Sequence, residues 1–314
     1  MNKKQVSIAA IREEKPTLSV FVLCYNQEDY ILQTIKSILT QKTNFPFDIV
    51  ISDDASTDGT SEICENLALA YSNIKYIRRK GNLGLMANFV ETAKELKGKY
   101  VAICDGDDYW IDNNKLQLQV DFLEKNTNYS VVGTRCKQLS ANNILNAGKT
   151  KMLNPISLEI LSCDNIITAP TVVFLNVYRL IELPCFFKKF PYGDWPSYLL
   201  VMSLTNTSAY NLNEITAVYR SSVGVSATMR KNPILVAQQN MHIIAELRKM
   251  DILNSNKKVF KSSIDYQRLK LVMAYNREKK YVDGLLLMLQ ILSSSFSFAL
   301  IKKYLYSIKK SFVK

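Results

Sequence analysis

The chain has 314 residues, enough for one large domain or two ordinary ones, and at 47% hydrophobic and 22% charged it is not a disordered polymer. Its single histidine, His242, excludes a His-rich metal site, and six cysteines that occur singly, with no CxxC pair, exclude a zinc ribbon or a thioredoxin-type centre. The net charge of +12 is uneven: residues 1–229 hold 23 Lys+Arg against 23 Asp+Glu, whereas 230–314 hold 17 against 5. The basic excess therefore belongs to the last quarter and marks a boundary near residue 230.

The N-terminus, MNKKQVSIAAIREEKPTLSV, places charges on both sides of a very short apolar stretch. It is unlike a secretory signal, and with unpaired cysteines it suits a reducing cytosol. LSVFVLCY (18–25) is a continuous apolar run, as expected of a buried parallel strand. EDYILQTIKSILTQ (28–41) has helical spacing, FDIVISDD (47–54) is a strand and TSEICENLALAYS (60–72) a helix. IKYIRR (74–79) is a short strand, GLMANFVETAKELK (84–97) a helix, KYVAICD (99–105) a strand and NKLQLQVDFLEKN (114–126) a helix. YSVVGTRC (129–136) adds a further strand. Four strand–helix alternations with short links predict a doubly wound parallel sheet.

From 137 to 229 the pattern loosens. TAPTVVFLN (168–176) and ITAVYR (215–220) read as strands, and PYGDWPSYLLVMSL (191–204) as a turn entering a helix. Residues 233–252 and 257–279 read as helices rich in Lys and Arg. The uncharged stretch GLLLMLQILSSSFSFALI (284–301) reads as two helices, its three consecutive serines forming the cap or turn between them. LIKKYLYSIKKSFVK (300–314) pairs Leu, Tyr, Ile and Phe with lysines, as an interfacial helix would; a packed tail with a solvated basic face is the plainer reading.

In open parallel α/β sheets, ligands bind beyond the carboxyl ends of the strands. Those ends carry Cys24, Tyr25 and Asn26, then Asp53 and Asp54, then Asp105, Gly106, Asp107 and Asp108. Clustered carboxylates repel one another unless a cation or proton lies among them, so Mg²⁺ or Mn²⁺ bridging to phosphate oxygens is the expected partner. Asp108 and Asp112 also suit capping of the following helix. Gly106 is expected to let backbone approach a ligand. An EF-hand loop fails, because Tyr109 and Trp110 stand where it needs an oxygen ligand and a glycine.

The segments VLCYNQEDYILQTIKSILTQ, VISDDASTDGT, NLGLMANFVETA, AICDGDDYWIDNNKL and YGDWPSYLL follow one another in this order. The series resembles the family-2 glycosyltransferases over residues 18 to about 225. That resemblance implies the glycosyltransferase A-type fold: α/β, Rossmann-like, with a mainly parallel central sheet flanked by helices. To this the sequence adds an α-helical C-terminal region. The division expected is an N-terminal extension (1–16), a catalytic domain (17–229) with a nucleotide-binding half to about 136 and an acceptor half from about 137, and a basic helical region (230–314).

The resemblance further implies a metal-dependent, inverting transfer of a sugar from a nucleotide-diphosphate donor, uridine-linked, to a saccharide or lipid-linked acceptor, in bacterial surface polysaccharide synthesis. Tyr25 matches the aromatic that stacks on the base. Asp53 and Asp54 match an acidic pair of which one accepts a hydrogen bond from the base's ring N–H. Ser56, Thr57 and Asp58 then cap the next helix. Asn82 and Gly84 match a turn near the nucleotide sugar. Asp105 matches the ribose-side carboxylate, and Asp107 the ligand of Mn²⁺ or Mg²⁺. Asp194 matches the base that takes the acceptor's proton. Gly193 stands where Glu often precedes that acid. Arg220 matches a cation that neutralises diphosphate, although Ser222 replaces a frequent His.

A cytoplasmic location, peripheral on the inner face of an anionic membrane through the basic tail, follows from the lipid-linked acceptor. Two other readings fit less. A nucleotidyl or phosphoryl transferase wants a Gly-rich or Lys-bearing loop after the first strand, and YNQED offers neither. A non-catalytic scaffold or nucleic-acid binder would set these acids against phosphate and lacks a reading motif, so no nucleic-acid partner is expected. His242 is expected on a helix with no catalytic role.

Overall fold

A computed structural model describes residues 7–15, 17–140, 143–145, 153–294 and 298–312. The chain divides into two compact units, residues 1–161 with 165–224, and residues 162–164 with 225–314. The division falls a few residues before the step in charge density.

The first unit opens with α1 (Ile8–Glu13) and β1 (Leu18–Cys24). Strand and helix then alternate: α2 (Ile31–Leu39), β2 (Phe47–Asp53), α3 (Thr60–Ala70), β3 (Ile74–Arg78), α4 (Leu85–Ala93) and β4 (Tyr100–Ile103). Every residue of β1 and β4 is buried, which requires cover on both sheet faces. α2 supplies cover with Ile31, Thr34, Ile35 and Ile38, an i, i+3, i+4, i+7 stripe that is wholly buried.

The chain continues through β5 (Tyr109–Trp110), α5 (Lys115–Lys125), β6 (Tyr129–Ser140), β7 (Asn143–Leu145), α6 (Leu158–Cys163), β8 (Val173–Leu175), α7 (Asp194–Thr205) and β9 (Ser208–Arg220). The sheet order is β3-β2-β1-β4-β8-β6-β9-β5, with β7 beside β6. β3, β2, β1 and β4 are mutually parallel. Beyond β4 the sheet is mixed: β8 runs antiparallel to β4 and β6, and β5 antiparallel to β9. The strand expected over 168–176 is reduced to β8, because Ala169–Thr171 form a 3₁₀ turn around Pro170, which has no N–H for a ladder. The strand expected at 215–220 reaches back to Ser208 through Asn211, Asn213 and Glu214, whose polarity hides it.

Register delivers the strand ends to one edge. Cys24 pairs with Asp53, so Tyr25 and Asp54 leave the sheet side by side, tied by Asp54 N–H to the Cys24 carbonyl at 3.0 Å. Phe21 pairs with Ile103, and the chain after β4 stays on β1 through Cys104 N–H to Phe21 O (3.1 Å) and Gly106 N–H to Leu23 O (3.0 Å). Trp110 pairs with Ala217 and Tyr109 with Val218, which carries Arg220 alongside Asp107 and Asp108.

The core includes basic side chains, Lys99 and Lys115. Lys115 is fully buried, donates to Gln119 Oε1 at 2.7 Å and lies 4.3 Å over the Trp110 ring. Burial lowers its pKa to about 7. The unfolded chain holds that proton to a higher pH, so the folded state gains stability as pH rises from about 7 towards 10. Lys115→Met should flatten this rise, measured as urea midpoints across that range.

The second unit is helical: α8 (Gly224–Met229) leads to α9 (Pro233–Lys249), α10 (Lys257–Arg277), α11 (Tyr281–Ser294) and α12 (Phe298–Ser311). His242 lies on α9. The uncharged stretch is two helices, as its serines indicate, although residues 295–297 lie outside the described residues. Val272, Met288, Ile291 and Tyr304 form a cluster joining α10, α11 and α12. No helix among the described residues is long and apolar enough to cross a membrane.

Candidate active site

The acidic residues at the sheet edge differ in how they are held. Asp53 is fully buried and accepts four hydrogen bonds: Ser56 N–H (2.9 Å) and Oγ–H (2.5 Å) on Oδ1, Ser61 Oγ–H (2.5 Å) and Tyr76 Oη–H (2.9 Å) on Oδ2. All four of its lone-pair sites are taken. Asp54 accepts one bond on each oxygen, from the N–H groups of Leu83 (2.8 Å) and Gly84 (2.9 Å). It thereby fixes the Asn82–Gly84 turn, where Asn82 Oδ1 also takes the Gly84 N–H and Gly84 has φ +85°. Tyr25 is 45% exposed beside this pair, on a turn whose next residue, Asn26, has φ 51°. Asn26 holds that turn by accepting the Thr57 N–H at 2.8 Å. Asp58 accepts the Thr60 N–H, although the N-cap position of α3 is Gly59.

α2 clamps the turn after β4. Thr34 Oγ–H lies 2.6 Å from Asp108 O and 2.9 Å from Gly106 O. At Gly106 the protein's own packing crowds a side chain: a Cβ there would lie 3.0 Å from Cys24 Cβ and from Leu23 O, and 2.2 Å from Gln27 Oε1. Asp112 accepts the Asn114 N–H at 2.9 Å in the turn before α5, whose N-cap is Asn114 itself. Asp108 caps nothing. Its Oδ1 accepts the Arg220 N–H at 2.7 Å, and its Oδ2 is buried without a partner.

Arg220 is pinned by its surroundings. Its guanidinium donates to the Asp107 carbonyl and, at 2.6 Å, to Gln33 Oε1, and it lies between the rings of Tyr30 (4.7 Å) and Tyr109 (4.9 Å).

The electrostatics are those of crowded, partly dehydrated acids. Burial, then the charges of Asp107 and Asp194, push Asp105 up to about 8. Burial raises Asp107 against the pull of Arg220. Asp108 is pushed well above the carboxylate range by burial and by Asp107 and Asp105. Three acids face one guanidinium, so the turn holds uncompensated negative charge when ionised. Among the described residues, no three His, Cys, Asp or Glu side chains group to hold an ion by themselves. A divalent cation fits here if a ligand's phosphate oxygens complete its shell.

Asp194 is the first residue of α7, on the positive end of the helix dipole. Burial raises its pKa, opposed by the Trp195 N–H and by Asn165, whose Nδ2 donates to Oδ2 at 3.0 Å. Gly193 explains the missing Glu: a Cβ would lie 2.5 Å from the Phe89 ring. Gly193→Ala is expected to cost about 1–3 kcal/mol by overpacking, read as a lowered urea midpoint.

Sequence reasoning missed three side chains here. Asn165 orients Asp194, Phe89 excludes a side chain at 193, and Tyr198 places a fully buried hydroxyl without a partner in the field of Asp194 and Asp105. The YLL of YGDWPSYLL reads as helix core, and nothing in its spacing singles out the hydroxyl. Tyr198→Phe removes an unsatisfied donor, so thermal stability should hold or rise. A melting temperature lowered by several degrees would mean the hydroxyl has a structural partner.

The sequence pattern of glycosyl transferase family 2 matches residues 19–168. An uncharacterized protein of Mycobacterium tuberculosis (strain H37Rv) is 31% identical over 206 residues, covering 65% of this chain and 58% of that protein. A Bacillus subtilis protein named as a teichuronic acid biosynthesis glycosyltransferase, TuaG, is 33% identical over 120 residues, 38% of this chain and 47% of its own. The chain thus spans less than two thirds of the length of these curated relatives. A mannosyltransferase from Pyrobaculum calidifontis, solved with GDP-Man and Mn²⁺, shares the fold at TM-score 0.61 and 16% identity, over 96% of this chain and 82% of that one.

Proposed function

We propose, on the match of residues 19–168 to glycosyl transferase family 2, that this chain moves a sugar from a nucleotide-diphosphate donor to a hydroxyl of a saccharide or lipid-linked acceptor. The donor is uridine-linked, the transfer inverts the anomeric carbon, and the product belongs to a bacterial surface polysaccharide. The reaction takes place on the cytoplasmic side of the membrane that carries the acceptor. TuaG's naming for teichuronic acid synthesis supports the polymer, and the mannosyltransferase's GDP-Man and Mn²⁺ support a nucleotide-sugar donor with a divalent ion.

The observation that carries this reading is that the charges of Asp107 and Asp194 both raise Asp105, which puts the turn after β4 and the start of α7 in one electrostatic neighbourhood. Tyr25 stacks on the base. Asp54, with one lone-pair site free on each oxygen, accepts the base N–H, since Asp53 has none to offer. The Asn82–Gly84 turn and Asp105 face the nucleotide sugar. Asp107 would hold Mn²⁺ or Mg²⁺, which when bound supplies positive charge to the leaving diphosphate. Arg220 steadies the turn that presents Asp107.

Asp194 accepts the proton of the acceptor hydroxyl as that oxygen bonds to the anomeric carbon and the bond to diphosphate breaks on the opposite face. A carboxylate suffices because the hydroxyl becomes acidic only as the new C–O bond forms. Asn165 donates to one Asp194 oxygen and orients the carboxylate. A panel of UDP-, GDP- and dTDP-sugars, each assayed with Mn²⁺ for slow donor hydrolysis, tests the proposal. A UDP-sugar is expected to be hydrolysed, and hydrolysis abolished by chelation. Turnover of none of them, with or without metal, would count against it.

A further inference from the structure

The helical unit ends in two helices that are apolar on the side facing away from their own core. In α11, Gly284, Met288 and Ile291 are buried, and Met288 and Ile291 pack with Val272 of α10 and Tyr304 of α12. The opposite side carries Val282, Leu285, Leu286 and Leu289, which are 71%, 45%, 56% and 53% exposed. Their i, i+3, i+4, i+7 spacing forms one stripe, and no charge interrupts it. A solvated helix face is polar, so this one is built to be covered.

α12 shows what covers it. Its outward side sets Leu305 and Tyr306, 58% and 62% exposed, among Lys302, Lys303, Lys309 and Lys310, all exposed. We propose that the outward faces of α11 and α12 dock on an anionic lipid bilayer, with the helices lying in its interface. Apolar side chains between lysines suit a surface that is hydrocarbon beneath and negatively charged at its rim, where lysine stems follow the apolar layer and their ammonium groups reach phosphate. No described helix is long and apolar enough to cross, so the contact lies along the surface. A second copy of the chain is a poor occupant, because its own helical unit carries the same basic excess and offers little negative charge to the four lysines. The inference extends the proposed membrane-side reaction by naming the surface that reaches the membrane.

Co-sedimentation of the full chain with vesicles tests it. Binding is expected to phosphatidylglycerol–phosphatidylcholine vesicles and to be at least tenfold weaker to phosphatidylcholine alone. The double variant Leu286→Glu/Leu289→Glu should weaken binding to the anionic vesicles at least tenfold, and so should Lys302→Gln/Lys309→Gln. Each alters only exposed side chains, so the melting temperature should not move. Wild-type chain left in the supernatant with anionic vesicles would overturn the proposal. So would unchanged binding by the leucine variant, or light scattering showing that this variant turns an oligomer into a monomer. Donor hydrolysis in solution is read separately on the same preparations: its loss would count against the transferase reading, and its persistence without vesicle binding would count against the docking surface alone.

Discussion

Asp194→Asn is expected to lower sugar transfer by about 10²–10⁴-fold while leaving donor binding intact. The substitution keeps the side chain's shape and its place at the start of α7, so the Trp195 N–H and Asn165 contacts have a partner of the same size. What it removes is the lone pair that takes the acceptor's proton. The loss should fall on kcat and not on KM for the donor, because the removed interaction exists only as the hydroxyl reacts. Burial raises the pKa of Asp194 from its ordinary value, which strengthens it as a base and places its ionisation on the acid limb of the rate profile. Activity should therefore rise with pH through that pKa, and the asparagine variant should lack the limb. Full activity in Asp194→Asn would assign the proton to another group.

Asp107→Asn is expected to abolish metal-dependent nucleotide binding, with affinity in the presence of Mn²⁺ falling to that of the metal-free protein. No group of three ligating side chains is available among the described residues, so the protein's hold on an ion rests on very few oxygens, and the diphosphate must supply others. Removing one carboxylate from so sparse a shell leaves nothing to take its place. Calorimetric titration of UDP with and without Mn²⁺ reads the effect. The same variant relieves part of the repulsion on Asp105, whose pKa of about 8 owes a share to the Asp107 charge. The metal-free variant should thus be no less stable than the parent, which separates loss of the ion from loss of the fold.

The two halves of the sheet were unequally legible. β1, β2 and β4 announce themselves by their apolar runs, and β3, which carries Lys75 and Arg78, by its place between two helices; parallel pairing follows from that alternation. The mixed half does not. β5 has two residues, too few for any period, and its pairing with β9 is what brings Arg220 to Asp107 and Asp108. Acidity at the strand ends was visible in the sequence, but its division of labour was not. Asp53 and Asp54 are neighbours of one type, and only the positions of Ser56, Ser61 and Tyr76 show that Asp53 is saturated. Gly106 and Gly193 follow the same logic, since each glycine is dictated by a distant segment, the end of β1 and the Phe89 ring. Tyr198 reads as core in the sequence and becomes of interest only because its hydroxyl is buried without a partner.

Thermal melting of the wild-type chain with UDP, with Mn²⁺ and with both reads whether these acids hold a cation which holds a nucleotide diphosphate. A ligand that binds only the folded state stabilises it by about 2.7 kcal/mol at a hundredfold excess over Kd. A clear rise in melting temperature is expected with UDP and Mn²⁺ together and little with either alone. An unchanged melting temperature with both present would contradict it.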